Sequence, residues 1–198
     1  EVGVASTKAF VAQTTALMLV TLLLARHHGL SRDFETEIVQ ELHRLPAIIK
    51  DLLALDDAIA ALAKRFANKE HALYLGRGSF YPIALEGALK LKELSYIHAE
   101  GYAAGELKHG PLALVDESMP VVAIAPNDEL LEKLYSNLQE VRSRGGELYV
   151  FAEDGVDTQG EEGVAHISLP ACNKYLAPIA YVVPLQLLAY HIALIKGL

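Results

Sequence analysis

The chain has 198 residues, 52% of them apolar, with 25 acidic against 17 Lys and Arg side chains and a formal charge of −8. That length supports one full core with room for a helical extension or a shared interface. The acidic balance, with no Lys/Arg-rich run and no aromatic-basic platform, excludes nucleic acid as a partner, and a small anionic substrate would need local positive groups.

Ser6 precedes an apolar-periodic run and predicts the N-cap of a first long helix reaching about Arg26, where HHGL supplies a histidine-rich last turn and a glycine stop. Residues 33–45 read as a second helix. Pro46 fits the first turn of a third, whose apolar positions Ile48, Ile49, Leu52, Leu53, Leu55, Ile59 and Leu62 continue to Phe66. A domain boundary is expected near Pro46, giving a helical extension over 1–45 and an α/β domain over 46–198.

After Asn68 the hydrophobic period changes. ALYLG, VVAIA, ELYVFA and VAHISLP are short β-rich runs, and helical segments over 82–98, 128–144 and 175–196 alternate with them. Near-continuous apolar strands alternating with helices imply a parallel sheet covered on both faces, a three-layer α/β/α sandwich. Residues 153–163 are acidic and glycine-rich and read as a mobile surface loop.

Residues 9–25 and 175–195 approach the ~20 apolar residues a membrane span requires. Gln13 and Thr14 in the first, Pro178, Pro184, Gln186 and His191 in the second, and the lack of a basic flank favour buried helices, so no membrane is expected. No signal-peptide pattern follows Glu1, and the absence of an initiator methionine suggests part of a longer protein. Cys172 is the only cysteine, which excludes an intrachain disulfide and a cysteine zinc cluster and fits a reducing cytoplasm.

The titratable groups concentrate in LKLKELSYIHAEGYAAGELKHGP, residues 89–111. On the helix expected there, Glu86, Lys90, Glu93 and Ile97 recur at i, i+4, i+7 and i+11, a narrow charged stripe flanked by Leu89 and Leu94; Lys92 points elsewhere, toward solvent. Spacing alone favours an ordinary helix ion pair of about 0.2–0.5 kcal/mol. The chemical alternative is acid-base work on a sugar, with Glu93 moving a proton between adjacent carbons and Lys90 stabilising charge on the enolised oxygens.

His109 lies where a short helical turn would end at Gly110-Pro111, suited either to proton shuttling or to a helix C-terminus. GRGSFYP follows the first strand, so Gly76, Gly78 and Ser79 either face a ligand or make a tight turn into the next helix. His98-Ala99-Glu100 lacks a third ligand at a convincing spacing, and no metal is expected.

GVASTKAF, YPIALEGALKLKELSYIHAEGYAAGELKHGPLALVD, ELLEKLYSNLQEVRSRGGELYVFA and VPLQLLAYHIALIKG together resemble the glutamine:fructose-6-phosphate aminotransferase (isomerizing) family, the glucosamine-6-phosphate synthases, over nearly the whole chain. The resemblance implies a flavodoxin-like sugar isomerase (SIS) domain, the second of that family's isomerase half, preceded by the end of the first SIS domain. It implies fructose 6-phosphate as substrate, no cofactor, a glutaminase domain elsewhere in the full-length chain, and a cytoplasmic homodimer. It assigns Glu93 the C1–C2 proton transfer, Lys90 the C1 hydroxyl, and His109 ring opening in the neighbouring subunit's site. Val4, Ser6 and Glu1 resemble positions lining the sugar.

The chain departs from the family pattern in lacking the first domain's Ser/Thr-rich phosphate loop, the tail that carries a further catalytic lysine, and the glutaminase nucleophile, for which Cys172 cannot substitute. It is expected to fold and dimerise yet be nearly inactive alone. A phosphosugar-binding module of a regulator, a fructosamine deglycase or a simple phosphosugar isomerase are the alternatives.

Overall fold

The computed structural model describes residues 4–156 and 163–198. Three helices precede the first strand: α1 (Lys8–His27), α2 (Arg32–Leu53) and α3 (Asp56–Ala63), followed by a 3₁₀ turn at Lys64–Phe66. Thr7, not Ser6, is the N-cap of α1, because the first helical bond runs from Val11 N–H to the Thr7 carbonyl, 3.3 Å. Ser31 caps α2, its Oγ accepting from Phe34 N at 3.2 Å, with Asp33 and Glu35 in the first turn facing the positive helix end.

The expected second and third helices divide differently. Pro46 lies inside α2 rather than starting a helix, so the boundary expected near Pro46 falls within a continuous element. Proline removes one i→i−4 bond, but Ile38, Leu45, Ile48 and Leu52 form one buried stripe that holds the helix together across it. The break comes at Ala54-Leu55, and α3 carries Ile59 and Leu62 into the same core.

Five strands form one parallel sheet: β1 (His71–Gly76), β2 (His98–Ala103), β3 (Pro120–Ala125), β4 (Glu147–Glu153) and β5 (Val164–Leu169), in the order β2-β1-β3-β4-β5. This is the flavodoxin-like doubly wound order. Helices α4 (Tyr81–Ser95), α5 (Leu131–Ser143) and α6 (Ala177–Lys196) supply the crossovers and the final layer. One face packs Tyr74, Val122, Ile124, Tyr149 and Phe151 against α2, α3, α4 and α6. The other packs Leu73, Leu75, Val121, Ala123 and Val150 against α5 and two 3₁₀ turns, Ala104–His109 and Pro111–Leu114. The three-layer sandwich expected from the sequence is the architecture found.

Four strands lie where the β-rich runs place them; β2 does not. Residues 82–98 read as one helix, whereas α4 stops at Ser95 and His98 opens β2. HAEGYA contains no β-branched residue and lies at the sheet edge, where a strand needs only one apolar face, so its sequence carries little strand signal. Gly101 is what the edge requires: a Cβ there would sit 2.8 Å from the Leu85 Cα, so glycine lets α4 lie directly on β2.

Among the described residues two helices, α1 and α6, are long and apolar enough to cross a membrane by length and composition. In α6, 67% of the most apolar window is buried and the helix packs along α4, as expected of a core helix. The same expectation fails for α1. Only Leu22 of α1 is buried, with Phe10, Val11 and Met18 partly covered, while Leu17, Leu19, Val20, Leu23 and Leu24 are exposed. The expected loop over 153–163 lies partly outside the described residues, at 157–162.

Candidate active site

Helix α4 begins with Pro82 in its first turn, where the missing N–H is harmless, and buries Ile83, Ala84, Ala88 and Leu91 between sheet and α6. The same helix carries Glu86, Lys90 and Glu93 at i, i+4 and i+7, which stacks three charged side chains along its last three turns. Lys90 is 3% exposed, and its Nζ donates to Glu93 Oε2 at 2.5 Å and stands 3.6 Å from Glu86 Oε1. Glu93 remains 32% exposed, so the pair has a buried cation and an open carboxylate. Lys92 is exposed, as its place off the stripe predicts. Ile97 does not join the stripe, because the helix has ended.

Glu86 is the residue that sequence reading undervalued. It was legible as the i−4 partner of Lys90, but its burial was not. The side chain is 10% exposed, and its Oε1 has no hydrogen-bond partner among the described residues. Burial raises the carboxyl pKa above its ordinary value, against the opposing pull of Lys90. One cation therefore serves two carboxylates, one desolvated and one open to solvent. This arrangement can hold an ammonium at a fixed point while Glu93 exchanges a proton.

The raised Glu86 pKa has a consequence for stability. Between the ordinary carboxylate value and the raised one, the native state binds more protons than the unfolded chain, so Glu86's contribution falls as pH rises through that window. Glu86→Gln removes the effect. Wild-type minus variant unfolding free energy, from denaturant titrations at a series of pH values, should decline as pH rises through the window. A flat difference would place Glu86 in solvent.

His109 ends the 3₁₀ turn at Ala104–His109, as expected, and is 73% exposed. Its Nδ1 lies 2.7 Å from Glu106 Oε2, a partner three residues back that the sequence reading did not use. Among the described residues no hydrogen bond or ion pair joins His109 to Lys90 or Glu93. The structure therefore brings Lys90 and Glu93 together and leaves His109 on a separate surface turn.

Val4 is 97% exposed and Ser6 half-buried just before α1; Glu1 lies outside the described residues. The start of α1 is tied to the core by Gln186, whose Nε2 donates to the Thr7 carbonyl at 3.4 Å from α6, the helix along which α4 packs.

GRGS stands at the carboxyl end of β1, where Gly78 adopts φ 57°. Arg77 is tied to α5, its Nη1 donating to Asn137 Oδ1 at 3.1 Å. Because α4 runs back antiparallel to the strands, Glu93 lies at the opposite end of the helix, roughly 20 Å from this loop at 1.5 Å rise per residue. The glycine turn and the Lys90–Glu93 pair are thus separate features. Cys172 is partly buried against the core, and burial, with Glu153 nearby, pushes its thiol up to about 12, which makes it an inert thiol.

The SIS domain family matches residues 65–196. The glutamine–fructose-6-phosphate aminotransferase (isomerizing) of Shewanella oneidensis is 58% identical over 197 residues, covering 100% of this chain and 32% of that protein. The Escherichia coli K12 protein of the same name is 59% identical with the same coverage. Among solved structures, the C-terminal domain of glucosamine-fructose-6-phosphate aminotransferase from Francisella tularensis superposes with a TM-score of 0.96 at 50% identity, covering all of this chain and 56% of that one. A glucosamine-6-phosphate deaminase from Thermotoga maritima gives a TM-score of 0.70 at 25% identity, covering all of this chain and 55% of that one. The chain spans about a third of the length of the aminotransferases it matches.

Proposed function

The chain belongs to the SIS domain family, and on that premise we propose that it is the sugar-isomerising part of a glutamine:fructose-6-phosphate aminotransferase (isomerizing), acting in the synthesis of glucosamine 6-phosphate from fructose 6-phosphate and glutamine-derived ammonia. The observation that carries this reading is the buried Lys90 ammonium 2.5 Å from the open Glu93 carboxylate, in a segment 58–59% identical to aminotransferases of that name.

In the proposed reaction the sugar ring opens, and Glu93 takes a proton from one of carbons C1 and C2 and returns it to the other. Lys90, held between Glu86 and Glu93, meets the C1 hydroxyl and stabilises the negative charge that develops on the enolised oxygen. A pure phosphosugar-binding module needs no such base, which favours the enzyme over a regulatory reading.

His109 is assigned to ring opening in the neighbouring subunit's site, within a homodimer. Its exposure, and the lack among the described residues of a hydrogen bond or ion pair to Lys90 or Glu93, support a role away from its own Glu93, with Glu106 fixing the imidazole. Val4, Ser6 and Glu1 are assigned to the sugar's surroundings, and the tie from Thr7 to α6 supports a place for this segment beside α4. The single cysteine supports a cytoplasmic setting, and the glutaminase belongs to the remainder of a longer polypeptide.

On this reading the substrate phosphate is held by residues outside the chain. Conversion of fructose 6-phosphate to glucose 6-phosphate should therefore be nearly absent with the 198-residue chain and present in a polypeptide of the aminotransferases' full length. Comparable turnover by the chain alone would show that the phosphate site lies within it.

A further inference from the structure

Tyr96 is the only non-glycine residue with positive φ among the described residues, at φ 59° and ψ 12°. In this left-handed region the Cβ of an L-residue crowds its own carbonyl, and glycine is the usual occupant after a helix. Both neighbours are anchored. Ser95 is fully buried, its Oγ donating to the Leu91 carbonyl at 2.7 Å and accepting from Ile97 N at 3.4 Å, and Ile97 is buried in the core just before β2. These anchors define the turn between α4 and β2, and glycine would make it with less strain. The chain instead places a large aromatic side chain there and leaves it 77% exposed. That side chain has no hydrogen bond, ion pair or ring contact among the described residues.

The position has a relation to the site. Tyr96 N–H still donates to the Lys92 carbonyl at 3.2 Å, so its Cα continues the helix and stands one turn beyond Glu93. Leu89 stands one turn before Glu93 on the same face, and it too is exposed. The backbone positions of an exposed leucine and an exposed tyrosine thus lie one turn to either side of Glu93. Residues held in strained backbone conformations by well-anchored neighbours concentrate at working sites.

We infer that Tyr96 is a wall of the sugar site, its ring receiving the apolar C–H face of the open-chain phosphorylated ketose while Glu93 carries the proton. A tyrosine ring supplies a broad rigid apolar surface for such a face. The inference rests on the acid-base reading of Glu93 and adds a specificity residue to it.

The test compares Tyr96→Gly and Tyr96→Phe in the full-length protein. Tyr96→Gly should raise Tm by about 2–4 °C in this chain, because glycine relieves the strain. The same change should raise KM for fructose 6-phosphate roughly tenfold with kcat little altered, whereas Tyr96→Phe should keep KM within about twofold. An unchanged KM in Tyr96→Gly, with wild-type isomerisation intact, overturns the role of Tyr96 alone. A fall in Tm overturns the argument from strain. Failure of the wild-type protein to isomerise fructose 6-phosphate overturns the reading of Glu93 and this inference with it.

Discussion

Glu93→Gln in the full-length protein is expected to lower kcat/KM for fructose 6-phosphate isomerisation by about 10²–10⁴-fold, the contribution of a positioned general base. The affinity for the sugar should be largely retained. The amide keeps the volume of the carboxylate and an oxygen that can accept from the Lys90 ammonium, now 2.5 Å away. It cannot take a proton. Because Glu93 is partly exposed and Lys90 keeps Glu86 as a second partner, the fold should be undisturbed and the melting transition close to wild type. The measurement is a coupled isomerisation assay beside calorimetric titration with fructose 6-phosphate. Isomerisation at the wild-type rate would return Glu93 to a structural role, and loss of sugar binding would make it a binding residue instead.

Lys90→Met is expected to have the largest effect on stability. It removes the ammonium that both carboxylates share and leaves Glu86, 10% exposed and without a hydrogen-bond donor for its Oε1, as a buried charge with no counter-ion. Breaking a buried ion pair from one side destabilises by about 3–5 kcal/mol. Replacing both partners removes the uncompensated charge. The double variant Lys90→Met with Glu86→Gln should therefore recover much of the stability while isomerisation stays lost. Urea denaturation of this chain gives the first comparison, and the coupled assay in the full-length protein gives the second. A single variant within about 1 kcal/mol of wild type would mean that Lys90 and Glu86 are hydrated, as surface pairs are.

The Lys90–Glu93 pair was legible because helical spacing is local. Glu86, Lys90 and Glu93 recur at intervals that any α-helix stacks on one face, and the helix itself is signalled by Pro82 and the apolar run. Spacing does not say which member of the stripe is buried. Glu86 and Lys90 are covered because α4 lies against β1, β2 and α6, and that packing depends on residues distant in sequence, among them Gly101 on β2. The partnership of His109 with Glu106 was equally local, three residues apart in one short turn.

The misplaced elements share one cause. Pro46 and the polar HAEGYA run are local signals overruled by burial elsewhere: one helical stripe of Ile38, Leu45, Ile48 and Leu52 carries α2 through the proline, and pairing with β1 makes residues 98–103 a strand. The exposure of α1 is the reverse case, since a helix's apolar run reports what it could bury and not whether a partner is present.

By itself the sequence determined the α/β class, four of the five strands and the charged stripe of α4, because hydrophobic period and residue spacing are properties of neighbouring residues. Only the tertiary structure decided that β2 closes the sheet edge, that Lys90 is buried between two carboxylates, that Tyr96 stands strained and exposed beyond Glu93, and that the glycine turn lies at the far end of the helix. Those facts depend on which distant surfaces exclude water from each other, and burial of that kind sets both the strength of a charge pair and the side from which a substrate can reach it.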